Sequence, residues 1–251
     1  MKIFLSGTSN LGDFLNGMPV LSGMNKAYGK IDLIIRPEMA KFKGIKQFLA
    51  HQDLFSDVNF ANEVFVYGNI THMSSWPIRE DKNDPNRPIE TCRYENFMKD
   101  NYKLDFQVDD QFEIKVPDVD VEVFQDTPYV GDRWAEGTVD DRRRSNTLSG
   151  LQKCHYIDYN NDLLTNAYII KNSKHPFIAS LSGVSVLADL LNKDGYVIWK
   201  AEDWDIQYRN GNDISWDNGK NIDTIFEKHY YLNRKMKLTH QNELEEILNG
   251  N

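Results

Sequence analysis

Lys2-Ile3-Phe4-Leu5-Ser6-Gly7-Thr8-Ser9-Asn10-Leu11-Gly12-Asp13-Phe14-Leu15-Asn16-Gly17-Met18-Pro19 opens the chain, and Ile31-Asp32-Leu33-Ile34-Ile35-Arg36-Pro37 follows it. These two runs decide the fold class. The first is a short apolar, β-like run that ends in the small polar turn 6–10. From there Leu11, Leu15, Met18, Leu21, Met24 and Ala27 recur every three or four residues, the spacing that lines one face of a helix with apolar side chains. Gly29 stops that helix, residues 31–35 read as a second strand, and Pro37 closes it. Both strands are mainly apolar, with Lys2 and Asp32 as the exceptions, as expected where helices cover both faces of a parallel sheet, so the segment reads as a β-α-β unit.

Outward from this unit the pattern repeats more loosely. Residues 39–50 read as a helix, 63–67 as a strand, 68–88 as a polar loop containing Pro77, Pro85 and Pro88, and 89–101 as a helix. Residues 112–124 alternate apolar and polar side chains around Pro117, as an extended linker or an edge strand would. A second series follows, with strands at 128–130, 154–157, 176–179 and 195–199 and helices at 161–171 and 183–193. Two helices at the end, 222–231 and 239–248, the latter with Thr239 as its N-cap, would pack back onto the body. The fold class is therefore α/β, two Rossmann-like domains facing a cleft, with residues 1–124 as the first domain and 125–251 as the second.

Composition narrows the chemistry. The 251 residues are 40% apolar and 27% charged, within the globular range. A net charge of −9 repels nucleic acid and anionic membranes on average. The opening apolar run is too short for a signal-peptide core, and no stretch approaches the roughly 20 apolar residues that span a bilayer. A cytoplasmic location without stable membrane insertion is the expectation. Cys92 and Cys154 form no CxxC pair, and the six histidines show neither HxH nor HExxH spacing, so no metal site is expected. Asp118-Val119-Asp120 has the form of a DxD metal motif but falls in the proline-containing alternating segment and reads as linker. Arg133 and the run Arg142-Arg143-Arg144 form either a solvated charged loop or an anion-binding loop.

Ligands of open αβ sheets gather outside the carboxyl ends of the strands, where β1-type strands hand over to helices. The 6–13 turn lies there, with Gly7 and Gly12 allowing close backbone approach. Their spacing gives neither the GxGxxG dinucleotide fingerprint nor a Walker lysine motif, so NAD and ATP phosphate loops are not supported. Asp13 has two readings from the residues alone. A carboxylate in a first helical turn interacts favourably with the helix dipole, and it can also take the proton of a sugar hydroxyl.

Asn10-Leu11-Gly12-Asp13, Pro19-Val20-Leu21, Tyr28 and the strand 31–37 together resemble the opening of glycosyltransferase family 9, the heptosyltransferases. That family has a strand, a Ser/Asn-x-Gly-Asp turn, a helix with an early proline and a second strand. The resemblance implies a GT-B arrangement, with Asp13 as the base that deprotonates the acceptor and Asn10 and Gly12 in the acceptor-side loop. Pro176-Phe177-Ile178-Ala179-Ser180-Leu181-Ser182-Gly183-Val184-Ser185-Val186 is similar to the family's strand, Asp-Ser-Gly and helix, whose amides face the donor diphosphate. Ser182 and Gly183 are the positions carried over. Leu181 stands where the family has Asp, and Val186 where it has His.

The function so implied is an inverting, metal-independent transfer of a sugar from a nucleotide-diphosphate sugar to an acceptor hydroxyl. Arg133 and Arg142 would balance the leaving diphosphate, and the sugar nucleotide is a substrate, so no cofactor is expected. The acceptor would be a bacterial surface glycan or, for a shortened phage-encoded member working in the host cytoplasm, a hydroxymethylated DNA base. The departures at Leu181 and Val186 keep a second class in view, a non-catalytic protein that binds a nucleotide or glycan.

Overall fold

The computed structural model describes residues 1–7, 9–64, 70–74, 84, 87–132, 148, 151–180, 182–199, 235–240 and 243–249. Strands β1 (Lys2–Leu5), β2 (Ile31–Ile35), β3 (Phe55–Phe60) and β4 (Thr71–Met73) pair in parallel in the order β3-β2-β1-β4. Ile3, Leu5, Ile31 and Ile35 are fully buried, as mainly apolar strands require. The helix read over 11–27 is two helices, α1 (Leu11–Asn16) and α2 (Met18–Tyr28), which meet at Gly17. Pro19 sits in the first turn of α2, where its missing N–H breaks no intrahelical bond.

Between β2 and β3 a 3₁₀ turn (Pro37–Lys41) and α3 (Ile45–Ala50) divide the helix expected over 39–50, with Gly44 at φ 76° as the N-cap of α3. Of the strand expected at 63–67 only residues 63 and 64 are described, and β3 lies earlier in the chain. Residues 63 and 64 lie in a turn in which the Glu63 carboxylate accepts the Phe60 N–H at 2.8 Å, and 65–67 fall outside the described residues. β3 is an edge strand with Ser56 and Asp57 exposed, so it lacks the apolar run that marks an inner strand. β4 lies inside the stretch read as loop, and only Met73 of its three residues is buried. Helix α4 (Ile89–Tyr102) matches its expectation, and its Thr91 hydroxyl donates to the Asn16 carbonyl at 2.8 Å, capping the end of α1.

Residues 103–127 run without strand pairing, and the alternation read from the sequence is realised as Phe112 and Ile114 buried beside exposed Glu113 and Lys115. This strap lies across α2, where a Cβ added at Gly23 would sit 2.0 Å from the Gln107 carbonyl oxygen. Asp109 holds it there. Its N–H donates to Pro19 O at 3.1 Å, and its carboxylate accepts from Ser22 Oγ at 2.6 Å and Lys26 Nζ at 2.8 Å.

The second sheet is also parallel, β5 (Tyr129–Gly131), β6 (His155–Tyr156), β7 (Phe177–Ser180), β8 (Gly195–Trp199) and β9 (Met236–His240), in the order β6-β5-β7-β8-β9. Its helices are α5 (Leu163–Asn172), α6 (Gly183–Leu190) and α7 (Leu244–Asn249). Thr239, expected as a helix N-cap, instead lies within β9, and α7 begins only at Leu244; a β-branched residue in an apolar-alternating run suits the sheet. The helix read at 222–231 lies outside the described residues. α7 packs back through Leu244, which joins Val130, Leu148, Ile178 and Ile198 in an apolar cluster on one face of the second sheet. The other face belongs to a larger cluster, which runs without a break from Ile3, Leu5 and Phe14 to Phe177, Val184, Leu187 and Val197. Among the described residues no helix is long and apolar enough to cross a membrane.

Candidate functional site

Strand order locates the crevices. In the first sheet the chain runs from β1 to β2 and β3 on one side and to β4 on the other, so the switch point lies between β1 and β4. In the second it lies between β5 and β7. α1 starts from the first switch point and α6 from the second. Their first turns meet: a Cβ on Gly12 would lie 3.3 Å from the Gly183 Cα, and a Cβ on Gly183 would lie 2.8 Å from both the Gly12 N and the Leu11 Cβ. Only glycine at 183 permits this backbone approach, which sets the two switch points, built separately, side by side.

Asp13 follows that contact, half-buried in the first turn of α1 between buried Leu11 and Phe14. Asn10, the N-cap, is extended at φ −95° and ψ 139°; its carbonyl accepts the Phe14 N–H at 3.1 Å, and its side-chain amide donates to Asp13 Oδ2 at 3.4 Å. The amide orients the carboxylate in the first turn of α1. At the adjoining turn Ser182 caps α6. Its N–H donates to Ser185 Oγ at 3.3 Å, the Ser185 hydroxyl donates to the Ser182 carbonyl at 2.7 Å, and the Ser182 hydroxyl donates to Ser180 O at 3.3 Å. This chain of serines fixes the turn so that the first amides of α6 point out of the helix end.

The structure therefore brings Asn10, Gly12 and Asp13 together with Ser182 and Gly183. Arg133, Arg142 and Leu181 lie outside the described residues. Asp132, just before Arg133, is held where β5 ends by a hydrogen bond from the Tyr159 hydroxyl to its carbonyl. Val186 is 4% exposed, and its Cγ2 lies 3.6 Å from the position a Gly12 Cβ would take, so it fills the seam between α1 and α6 as an apolar side chain.

Sequence reasoning passed over two residues here. Ser185 is buried and serves the turn through backbone groups alone; the Ser-x-x-Ser spacing, a variant of the capping box, was its signal. Arg36 stands at the carboxyl end of β2 and pairs with Glu38, its Nε 3.4 Å from the carboxylate, which places a cation on the same edge as Asp13. Burial pushes the Cys92 thiol up to about 11, so it stays protonated and is no nucleophile near neutral pH. Among the described residues no three His, Cys, Asp or Glu side chains are grouped to hold a metal ion.

Solved structures share this architecture. The chain superposes on the E. coli heptosyltransferase WaaC with ADP at a TM-score of 0.54 and 12% identity, covering 100% of this chain and 99% of that one. The fold is the heptosyltransferase fold. A family 9 glycosyl transferase from Veillonella parvula gives a TM-score of 0.56 at 9% identity over 99% of this chain and 88% of that one. E. coli ADP-heptose lps heptosyltransferase II gives 0.55 at 10% identity over 100% and 99%. No known family's sequence model matches the chain, and no curated protein matches it. The heptosyltransferase fold is thus carried here by a sequence that keeps little of theirs.

Proposed function

We propose that the chain is an inverting glycosyltransferase that moves a sugar from a nucleotide-diphosphate sugar to an acceptor hydroxyl. The observation that carries this reading is the meeting of two switch-point crevices at Gly12 and Gly183, with the Asp13 carboxylate beside the contact. Two substrates brought to one point are what a group transfer needs, and the heptosyltransferase fold gives a precedent. Residues 1–124 form the acceptor side and residues 125–251 the donor side. Asp13 takes the acceptor proton while the oxygen attacks the anomeric carbon from the face opposite the leaving group. The bond from that carbon to the diphosphate breaks, and its electron pair leaves with the nucleoside diphosphate. The amides at Ser182 and Gly183, with Arg133 and Arg142, balance the charge on the leaving group without a metal ion or cofactor.

The acceptor this reading favours is a bacterial surface glycan. A hydroxymethylated base in phage DNA is the other candidate, and a net charge of −9 counts against it. The cytoplasm, or a host cytoplasm for a phage-encoded chain, is where sugar nucleotides would meet the protein. Val186 favours a second reading, a non-catalytic nucleotide- or glycan-binding protein, because it commits to the seam a position where the family has a histidine.

A panel of sugar nucleotides that includes ADP-heptose, followed by measurement of nucleoside diphosphate release, separates the two. Release that falls about 100-fold or more in Asp13→Asn, with ADP or UDP affinity unchanged, supports the transferase. Binding without release from any donor supports the second reading.

A further inference from the structure

Domain rotation is one way for a two-sheet cleft to exclude water, and it needs a boundary that can slide. The boundary here is pinned at three separated places. At the first, Gly12 and Gly183 bring the backbones of α1 and α6 into contact. At the second, the Leu163 N–H that opens α5 donates to the Lys43 carbonyl of the first half at 2.9 Å, and Lys43 Nζ donates to the Asn160 carbonyl at 2.8 Å. Gly44 is close against this bridge, since a Cβ there would lie 2.9 Å from the Asp162 Cβ. At the third, the Ile114 N–H of the strap donates to the Leu190 carbonyl at the end of α6 at 2.9 Å, and the Asn192 side-chain amide donates to Glu113 at 3.0 Å. The large apolar cluster passes through the boundary from Ile3 to Val197. Rotation about a hinge would break backbone hydrogen bonds and open that core to water, whereas boundaries that rotate freely are small and polar.

We infer that Gly12 and Gly183 are positioning residues: their backbone contact sets the place of the Asp13 carboxylate relative to the Ser182 turn, and the two halves of the site are a fixed pair rather than the faces of a moving cleft. This rests on the transferase reading for its catalytic consequence, but the fixed seam stands on geometry alone. A Cβ at 183 must push α1 away, since both atoms it meets at 2.8 Å are backbone or backbone-attached. A Cβ at 12 meets its nearest atom at 3.3 Å and needs only a small adjustment. Displacing reacting groups by around 1 Å costs as much as 100-fold in rate even when each substrate still binds.

The test has a spectroscopic arm and a kinetic arm. Spin labels on Ala27→Cys and Lys171→Cys, exposed positions on α2 and α5, in a Cys154→Ser background, report the separation of the halves without any ligand. One narrow distance is expected for the otherwise native protein, and a shifted or broadened one for Gly183→Ala. A broad or two-peaked distribution in the native protein overturns the fixed seam. For the sugar nucleotide that gives release, Gly183→Ala should lower kcat tenfold or more while its KM stays within about threefold, with Gly12→Ala between it and the native protein. Gly44→Ala, strained at the remote bridge, should lower Tm yet leave kcat within about twofold. A Gly183→Ala kcat within twofold of native overturns the positioning role. If the native protein releases no diphosphate from any donor, the transferase reading falls, and the spin-label distances still decide the seam.

Discussion

Ser185 shows how a residue can shape a site without facing it. Its side chain, 1% exposed, lends a hydroxyl to both the N–H and the carbonyl of Ser182, so Ser185→Ala would leave two backbone groups at the α6 start without that partner. The expected loss is about 1 to 3 kcal/mol of stability, read by chemical denaturation, and a change under 0.3 kcal/mol would show that water or another group replaces the hydroxyl. The sequence marks Asp13 as a candidate and passes over Ser185, for a physical reason. Asp13 follows a glycine at a strand-to-helix turn, a place where acids have a recognised role. Ser185 works through main-chain atoms, which every residue has. Val186 lies between these cases: its departure from the family pattern was readable, but its contact with Gly12 became visible only once the two halves were assembled.

At the scale of elements, the strap formed by residues 103–127 is held to α2 at Tyr28, whose hydroxyl bonds the Asp105 backbone, and at Asp109, whose carboxylate is the charged contact. Burial works against the charge of Asp109, but the Lys26 ammonium and the Ser22 hydroxyl outweigh it and hold the carboxyl below the usual carboxylate range. A group whose pKa is lowered on folding adds stability above its unfolded pKa, about 3.9, and loses it as pH falls through the lower folded value. Asp109→Asn should therefore cost about 1 kcal/mol near pH 7, and the gap from the native protein should close as pH falls below about 4. A gap that is constant across that range would assign the effect to shape rather than charge. The elements that the sequence displaced or hid, β3, β4 and β9, are edge or short strands. β3 and β4 lie at the two edges of the first sheet and β9 at an edge of the second, where one side needs no partner strand and polar residues are tolerated. Inner strands β1, β2, β7 and β8 carry apolar runs because both faces are covered, and these were legible within a residue or two.

Over the whole molecule the two sheets were readable and their union was not. Two αβ series predict two cores, each sufficient for its own half, yet the apolar cluster beneath the seam belongs to both. No residue pattern announces this, since the closest contacts between the halves run through glycine backbone and through main-chain hydrogen bonds at Lys43 and Ile114. A shared core has a thermodynamic signature. If each half kept its own core, the less stable sheet would open while the other stayed folded, and its amides would exchange at a lower free energy. Because Phe14 and Leu15 of the first half and Val184 and Leu187 of the second belong to one buried cluster, opening either sheet exposes the apolar surface of both. Native-state hydrogen exchange should then give the same opening free energy for the β1 and β2 amides as for those of β7 and β8, with the same denaturant dependence. A difference of more than about 2 kcal/mol between the two sheets would show two units that fold apart, and with it a boundary free to move.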